Sequence, residues 1–309
     1  MIVDFMMKRV AKMIADVPRT PILRRPDEFG MAYEDVSFPA VDGITLEGWY
    51  IPAKTPSNKI VICNHFSPGN RYGYAGHLKP WRRAGGFEVN HLPKYKALVE
   101  AGYNVLAYDL RNHGFSAPAQ NGGYNPGLFE YKDVLGSLEY VRSNPVTKDM
   151  EIHLHSQCLG GNATLAAMRK HPEAFEGVQS MVLIQPISGD ALVRKLVKNL
   201  RMGKRAYAAF EKHYNEIWGY RIEDSSPQRD AAFISMPTFV VQVRNDAFTY
   251  AEEDVQAIYD AIPGDDKKLY WIEDTTQRFR GYQYFSENPK QMVDWYDQNS
   301  APAPLSAAV

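Results

Sequence analysis

Cysteine is nearly absent: Cys63 and Cys158 are the only two in 309 residues. Two thiols exclude a disulfide scaffold and a Cys-rich zinc module. Long hydrophobic runs are lacking too. No stretch approaches the about 18 consecutive apolar residues of a membrane-spanning helix. Charge of one sign is missing as well. Thirty-five Lys and Arg against 36 Asp and Glu leave a net charge of -1, which argues against a general nucleic-acid binder. There is no Walker loop and no Gly-x-Gly-x-x-Gly after a strand. His153 and His155 form a bare pair with no third ligand at useful spacing, so neither a metal nor another cofactor is expected. Lys8, Arg9 and Lys12 fall inside the first apolar stretch rather than before it. That is not the shape of a cleavable signal, and a cytoplasmic location is expected.

What is present is a rhythm of strands and helices. Residues 2–17 carry apolar side chains near helical spacing. Two readings stay open for this helix: a contact with a membrane surface or a second copy, or packing on its own domain. Tyr33–Ala40 and Ile44–Ile51 read as a hairpin turned at Asp42-Gly43. Further strands are predicted at 59–63, 103–108, 151–155, 181–184, 238–243 and 268–272. Helices are predicted at 94–101, 128–142, 160–169, 252–261 and 289–295. Such alternation predicts an α/β fold, a mostly parallel sheet with helices on both faces. Residues 187–235 break the rhythm with two helical patterns and no strand, which predicts a helical cap. The expected division is an N-terminal helix and lead-in over 1–32, a core over 33–186 and 236–298, the cap over 187–235, and a disordered tail over 299–309.

Residues 151–164 are the most informative stretch. A short strand runs into Ser156-Gln157-Cys158-Leu159-Gly160-Gly161, and a helix follows. A nucleophile on a strand-to-helix turn needs small residues two before and two after it, because strand and helix pack closely there. Ser156 and Gly160 meet that need around Cys158. A nucleophilic Ser156 would be flanked by Leu154 and Cys158, a poorer match. Cys63, in mid-strand, reads as core.

From about Tyr33 to Trp295 the chain resembles the α/β-hydrolase-fold superfamily. Asn64-His65-Phe66-Ser67-Pro68-Gly69 resembles that family's oxyanion loop, and 108–116 (Tyr-Asp-Leu-Arg-Asn-His-Gly-Phe-Ser) resembles the loop after its next strand. The elbow, the cap and Asn245-Asp246 follow in the family's order. The resemblance implies Cys158 as nucleophile, Asp246 as the triad acid, and an oxyanion hole made by the backbone N–H groups of Leu159 and Phe66. One such donor is worth about 3–4 kcal/mol in the transition state. Cysteine at the elbow is also found in dienelactone hydrolases and polyhydroxyalkanoate synthases.

The family's histidine has no counterpart. Its loop reads 272–279, Ile-Glu-Asp-Thr-Thr-Gln-Arg-Phe, with Gln277 or Arg278 at the histidine's place and no histidine beyond His213. Neither glutamine nor arginine can shuttle a proton at pH 7. His113 is the least unsuitable substitute base. His65, Trp81 and Arg278 are expected to line the substrate pocket. The expected function is acyl transfer (an esterase, thioesterase or acyltransferase) on a small-molecule ester or acyl thioester, with Cys158, Asp246 and Gln277 in catalytic positions. The alternative is a catalytically silent ligand-binding or regulatory protein.

Overall fold

The computed structural model describes residues 2–15, 19–82, 86–119 and 127–301. Helix α1 (Ile2–Ala15) leads into the hairpin β1 (Glu34–Pro39) and β2 (Thr45–Ile51). The hairpin turn uses Gly43 at φ 84, a left-handed conformation that glycine adopts at no steric cost. Then come β3 (Lys59–Asn64), a two-residue ribbon of β4 (Gly73–Tyr74) and β5 (Val89–Asn90), α2 (Leu92–Glu100), β6 (Asn104–Tyr108) and α3 (Tyr131–Ser143). Strand β7 (Glu151–Gln157) feeds α4 (Leu159–Lys170), and β8 (Val178–Ile184) feeds α5 (Gly189–Asn199), α6 (Lys204–Trp218) and α7 (Pro227–Ala231). The chain closes with β9 (Thr238–Val243), a π-turn over Ala251–Gln256, α8 (Ala257–Ala261), β10 (Lys267–Ile272), α9 (Arg278–Glu287) and α10 (Lys290–Gln298).

One eight-stranded sheet has the order β1-β2-β6-β3-β7-β8-β9-β10. β2 runs antiparallel to β1 and β6, and the other neighbours are parallel. Every residue of β6 and β9 is buried, as expected of strands covered on both faces. One core lies under α3, α4 and α8, with Leu138, Leu165 and Ile258 among its members. The other lies under α2, α9 and α10, with Leu98, Phe285 and Met292. The parallel strands end along one edge, so the loops after β3, β7, β8, β9 and β10 gather there. This is where such sheets bind ligands.

Two expectations change and a third is not tested. A helix not predicted from the sequence, α9, follows β10. The segment read as a helix over 252–261 opens as a π-turn. Most of the tail read as disordered lies outside the described residues. The N-terminal helix packs on the region read as the cap: Met7 and Ala11 are buried against Val193, Val197, Phe210, Tyr214 and Trp218. Burying a methionine completely is worth about 1.5–3 kcal/mol. Asp4 adds a contact to His213 Nε2 at 3.1 Å.

Candidate active site

Cys158 stands alone between β7 and α4, at φ 47 and ψ -107. A non-glycine residue held there stores about 1–3 kcal/mol of strain. Its neighbours hold it in place. The Cys158 N–H donates to the Ile184 carbonyl at 2.9 Å, and its carbonyl accepts from Asn162 N–H at 2.8 Å. Gly160 is small for a visible reason: a Cβ there would lie 2.5 Å from the Asn64 carbonyl oxygen. Ser156 is buried, and its hydroxyl joins Asn64 Nδ2 at 2.9 Å and Thr164 Oγ1 at 2.9 Å. These contacts lock the end of β3 to the elbow.

The loop after β3 is drawn in by a Gly160 N–H donated to the His65 carbonyl at 3.1 Å. The His65 ring stays under this loop. Leu110 N–H donates to its Nε2 at 2.9 Å, so Nδ1 carries the hydrogen and donates to the Phe66 carbonyl at 2.8 Å. Burial brings its pKa down to about 4, and it is neutral at pH 7. Neither the Phe66 nor the Leu159 backbone N–H has a hydrogen-bond partner among the described residues.

Asp246, after β9, is buried. Its carboxylate accepts from Thr249 Oγ1 at 2.8 Å and from Phe248 N–H at 3.1 Å. The loop after β10 supplies its cationic partner, and that partner is Arg278. Arg278 Nη1 donates to Asp246 Oδ2 at 2.5 Å, Nη2 to the Gln185 carbonyl, and Nε to Tyr282 Oη at 2.6 Å. Burial opposes the charge, and Tyr282, Asp246 and Cys158 together overcome it, raising Arg278 well above its ordinary value. Burial also raises Tyr282 well above the usual phenol range, with Arg278 opposing and Cys158 adding to the rise. Tyr282 therefore keeps its hydrogen. Its oxygen already accepts from Arg278, so that hydrogen is left to donate. Cys158 thus lies beside two groups that offer hydrogens.

The other sequence candidates fall differently. Gln277 is exposed and serves only as the residue before α9, so it takes no place beside Asp246. His113 is not brought to Cys158. Its Nδ1 meets the Arg111 carbonyl at 2.9 Å, its Nε2 meets Ser67 Oγ at 3.0 Å, and burial takes its pKa down to about 3. Trp81 is half-buried and donates its Nε1–H to the Arg19 carbonyl at 3.1 Å. Sequence reasoning missed Tyr282, whose ring stacks on Phe66 at 4.0 Å. The four-residue spacing of Arg278 and Tyr282 joins them only on a helix, and α9 was not read from the sequence.

No family model matches the chain. The uncharacterized protein YfhR of Salmonella typhi is 30% identical over 139 residues, covering 44% of this chain and 40% of YfhR. The polyketide transferase grgF of a Penicillium species is 26% identical over 176 residues, covering 56% of this chain and 52% of that protein. The chain thus spans about half or less of the length of these curated relatives. Among solved structures, the esterase Pf2001 of Pyrococcus furiosus superposes with a TM-score of 0.68 at 22% identity, covering 93% of this chain and 99% of the other. The chain has the α/β-hydrolase fold. Within that fold the elbow, the loop after β3, Asp246 and Arg278 occupy one edge of the sheet. No helix among the described residues is long and apolar enough to cross a membrane.

Proposed function

We propose that this α/β-hydrolase-fold protein transfers acyl groups through Cys158, with Arg278 in place of the usual imidazole. The buried Asp246–Arg278 ion pair beside the elbow carries this reading. A guanidinium cannot accept a proton at pH 7, but it can stand opposite a thiolate and balance its charge. The strained elbow presents the sulfur, and the Leu159 and Phe66 N–H groups are free to receive a carbonyl oxygen as it becomes an oxyanion. The polyketide transferase and the esterase among the similar proteins agree with acyl chemistry.

The missing imidazole favours one substrate class. An alkoxide leaving an ester needs a proton that Arg278 holds too tightly to give. A thiolate leaving an acyl thioester departs without one. Thioester exchange is therefore the reaction that this site can run: the Cys158 thiolate attacks, the C–S bond to the donor breaks, and a thioester forms on Cys158. A thiol or amine acceptor then removes the acyl group more easily than water, which needs a general base.

Incubating the protein with a short-chain acyl thioester and mapping peptides by mass spectrometry tests this. The acyl group is expected on Cys158, with slow release to water and faster release to a thiol. The absence of a proton acceptor beside Cys158 also favours a second reading, a ligand-binding protein without turnover. No adduct on Cys158 under any donor would decide for that second reading.

A further inference from the structure

The start of α5 and the π-turn after β9 hold a second pair of polar side chains, Ser188 and Asp254, which shares only the field of Arg278 with the Cys158 site. A cavity of about 600 Å³ opens against α5 and the chain around 221–229, and its wall includes Ser188, Asp190, Arg194, Glu223, Arg229 and Glu253. The Ser188 hydroxyl donates to Asp254 Oδ1. Asp254 is fully buried, and its Oδ2 has no partner among the described residues. Ser188 is the residue before α5, yet its side chain makes no cap bond to that helix. Turned toward Asp254, it leaves the opening N–H groups of an eleven-residue helix without a side-chain cap.

We propose that Ser188 and Asp254 form a second nucleophile–base pair, acting on a small, hydroxyl-rich ester held in this cavity. Ser188 Oγ attacks the ester carbonyl while its hydrogen passes to Asp254. The carbonyl oxygen becomes an oxyanion against the first N–H groups of α5. The bond to the alcohol then breaks, and the departing oxygen takes the proton back from Asp254. Water repeats the sequence to free the acid and regenerate Ser188. A carboxylate on the nucleophile's hydroxyl supplies the base, so no imidazole is needed.

Burial raises the Asp254 pKa to about 6, with Ser188, Arg278 and Arg194 opposing the rise. The carboxylate is thus ionised, and basic for its kind, at neutral pH. Those groups come from α5 and α9, and Glu253 stands next to Asp254 on the π-turn. The wall charges largely satisfy one another: Arg194 meets Asp190 at 2.7 Å and Glu253 at 3.1 Å. Both signs are present and neither dominates, which suits a neutral ligand with many hydroxyls over an ion.

A fluorophosphonate probe applied to the full chain, followed by peptide mass spectrometry, tests the pair. The adduct is expected on Ser188 in the wild type and in Cys158→Ala, because the pair works independently of the thiol. Asp254→Asn should slow labelling by about 100-fold or more, and the wild-type labelling rate should rise as pH passes upward through about 6. Absence of an adduct on Ser188 overturns the proposal, and so does Asp254→Asn labelling at the wild-type rate. If Asp254→Asn does not fold, the wild-type pH profile decides, and a flat profile overturns the pair.

Discussion

Arginine keeps its proton at any pH that leaves the protein folded, and in this site burial among Tyr282, Asp246 and Cys158 fixes that charge further. Under the proposed acyl transfer, the consequence is an asymmetry between taking up an acyl group and releasing it to water. Arg278→His would place a proton acceptor against Asp246, where the 2.5 Å bond now lies. Hydrolytic release of an acyl group from Cys158 should then rise by roughly 10²–10⁴, with acylation changed far less. Gln277→His should leave both steps unchanged, because that side chain is exposed. Stopped-flow kinetics on the two variants checks the pair of outcomes. The places of Cys158 at the elbow and of Asp246 past β9 were legible in the sequence because local rules fix them: small flanks around a turn, and an acid just past a strand. Gln277 and Arg278 were not separable, since a one-residue choice in a loop depends on which side chain the buried carboxylate draws inward.

At the scale of elements, α9 was the part that the sequence hid. Phe279, Tyr282 and Phe285 recur every third residue, and Gly281 interrupts an otherwise ordinary helical stripe. The interruption is required by packing. A Cβ on Gly281 would come within 2.5 Å of the Gln185 side chain, whose Nε2 donates to the Arg278 carbonyl at 2.6 Å. Gly281→Ala should therefore push α9 outward and loosen Arg278, at a cost of about 1–3 kcal/mol. Urea unfolding reads that cost, and slower acylation of Cys158 would show that it reaches the site. Strands such as β6 and β9 were easy to place because burial on both faces makes them largely apolar runs. The partner of α1 was not, since an apolar face records that something covers it but not what does. The structure assigns the Met7–Ala11 side to α6 and its neighbours, while Phe5 and Met13 stay exposed.

Across the whole molecule, one buried cation stands without an ion pair among the described residues. Lys94 of α2 is fully buried, and its Nζ meets His155 Nε2 at 3.0 Å. Burial drives His155 well below its ordinary range, so it stays neutral and accepts the bond. Cys63, the cross-strand neighbour of His155, is pushed up to about 12 by the same burial. Among the described residues, no carboxylate is one of the groups acting on Lys94. Its pKa falls to about 8 from 10.5, with burial as the main cause. Below pH 8 lysine is charged in both the folded and the unfolded chain, and the fold bears the full cost. Between pH 8 and 10.5 the folded protein releases the proton while the unfolded chain keeps it, so this group's cost fades as pH rises. The gap corresponds to about 3 kcal/mol. Lys94→Met should lose this pH dependence. The lost bond to His155 offsets part of the gain by about 1–3 kcal/mol, which makes the absolute change at pH 7 a poor readout. The difference between two pH values is the sound one. Urea midpoints at pH 7.5 and pH 10.5 should show the wild type gaining on the variant by about 3 kcal/mol, because the tyrosines titrate alike in both proteins and folded Cys63, pushed up to about 12, keeps its proton in both at pH 10.5. Equal shifts in the two proteins would mean that Lys94 is already solvated or already neutral at pH 7.5.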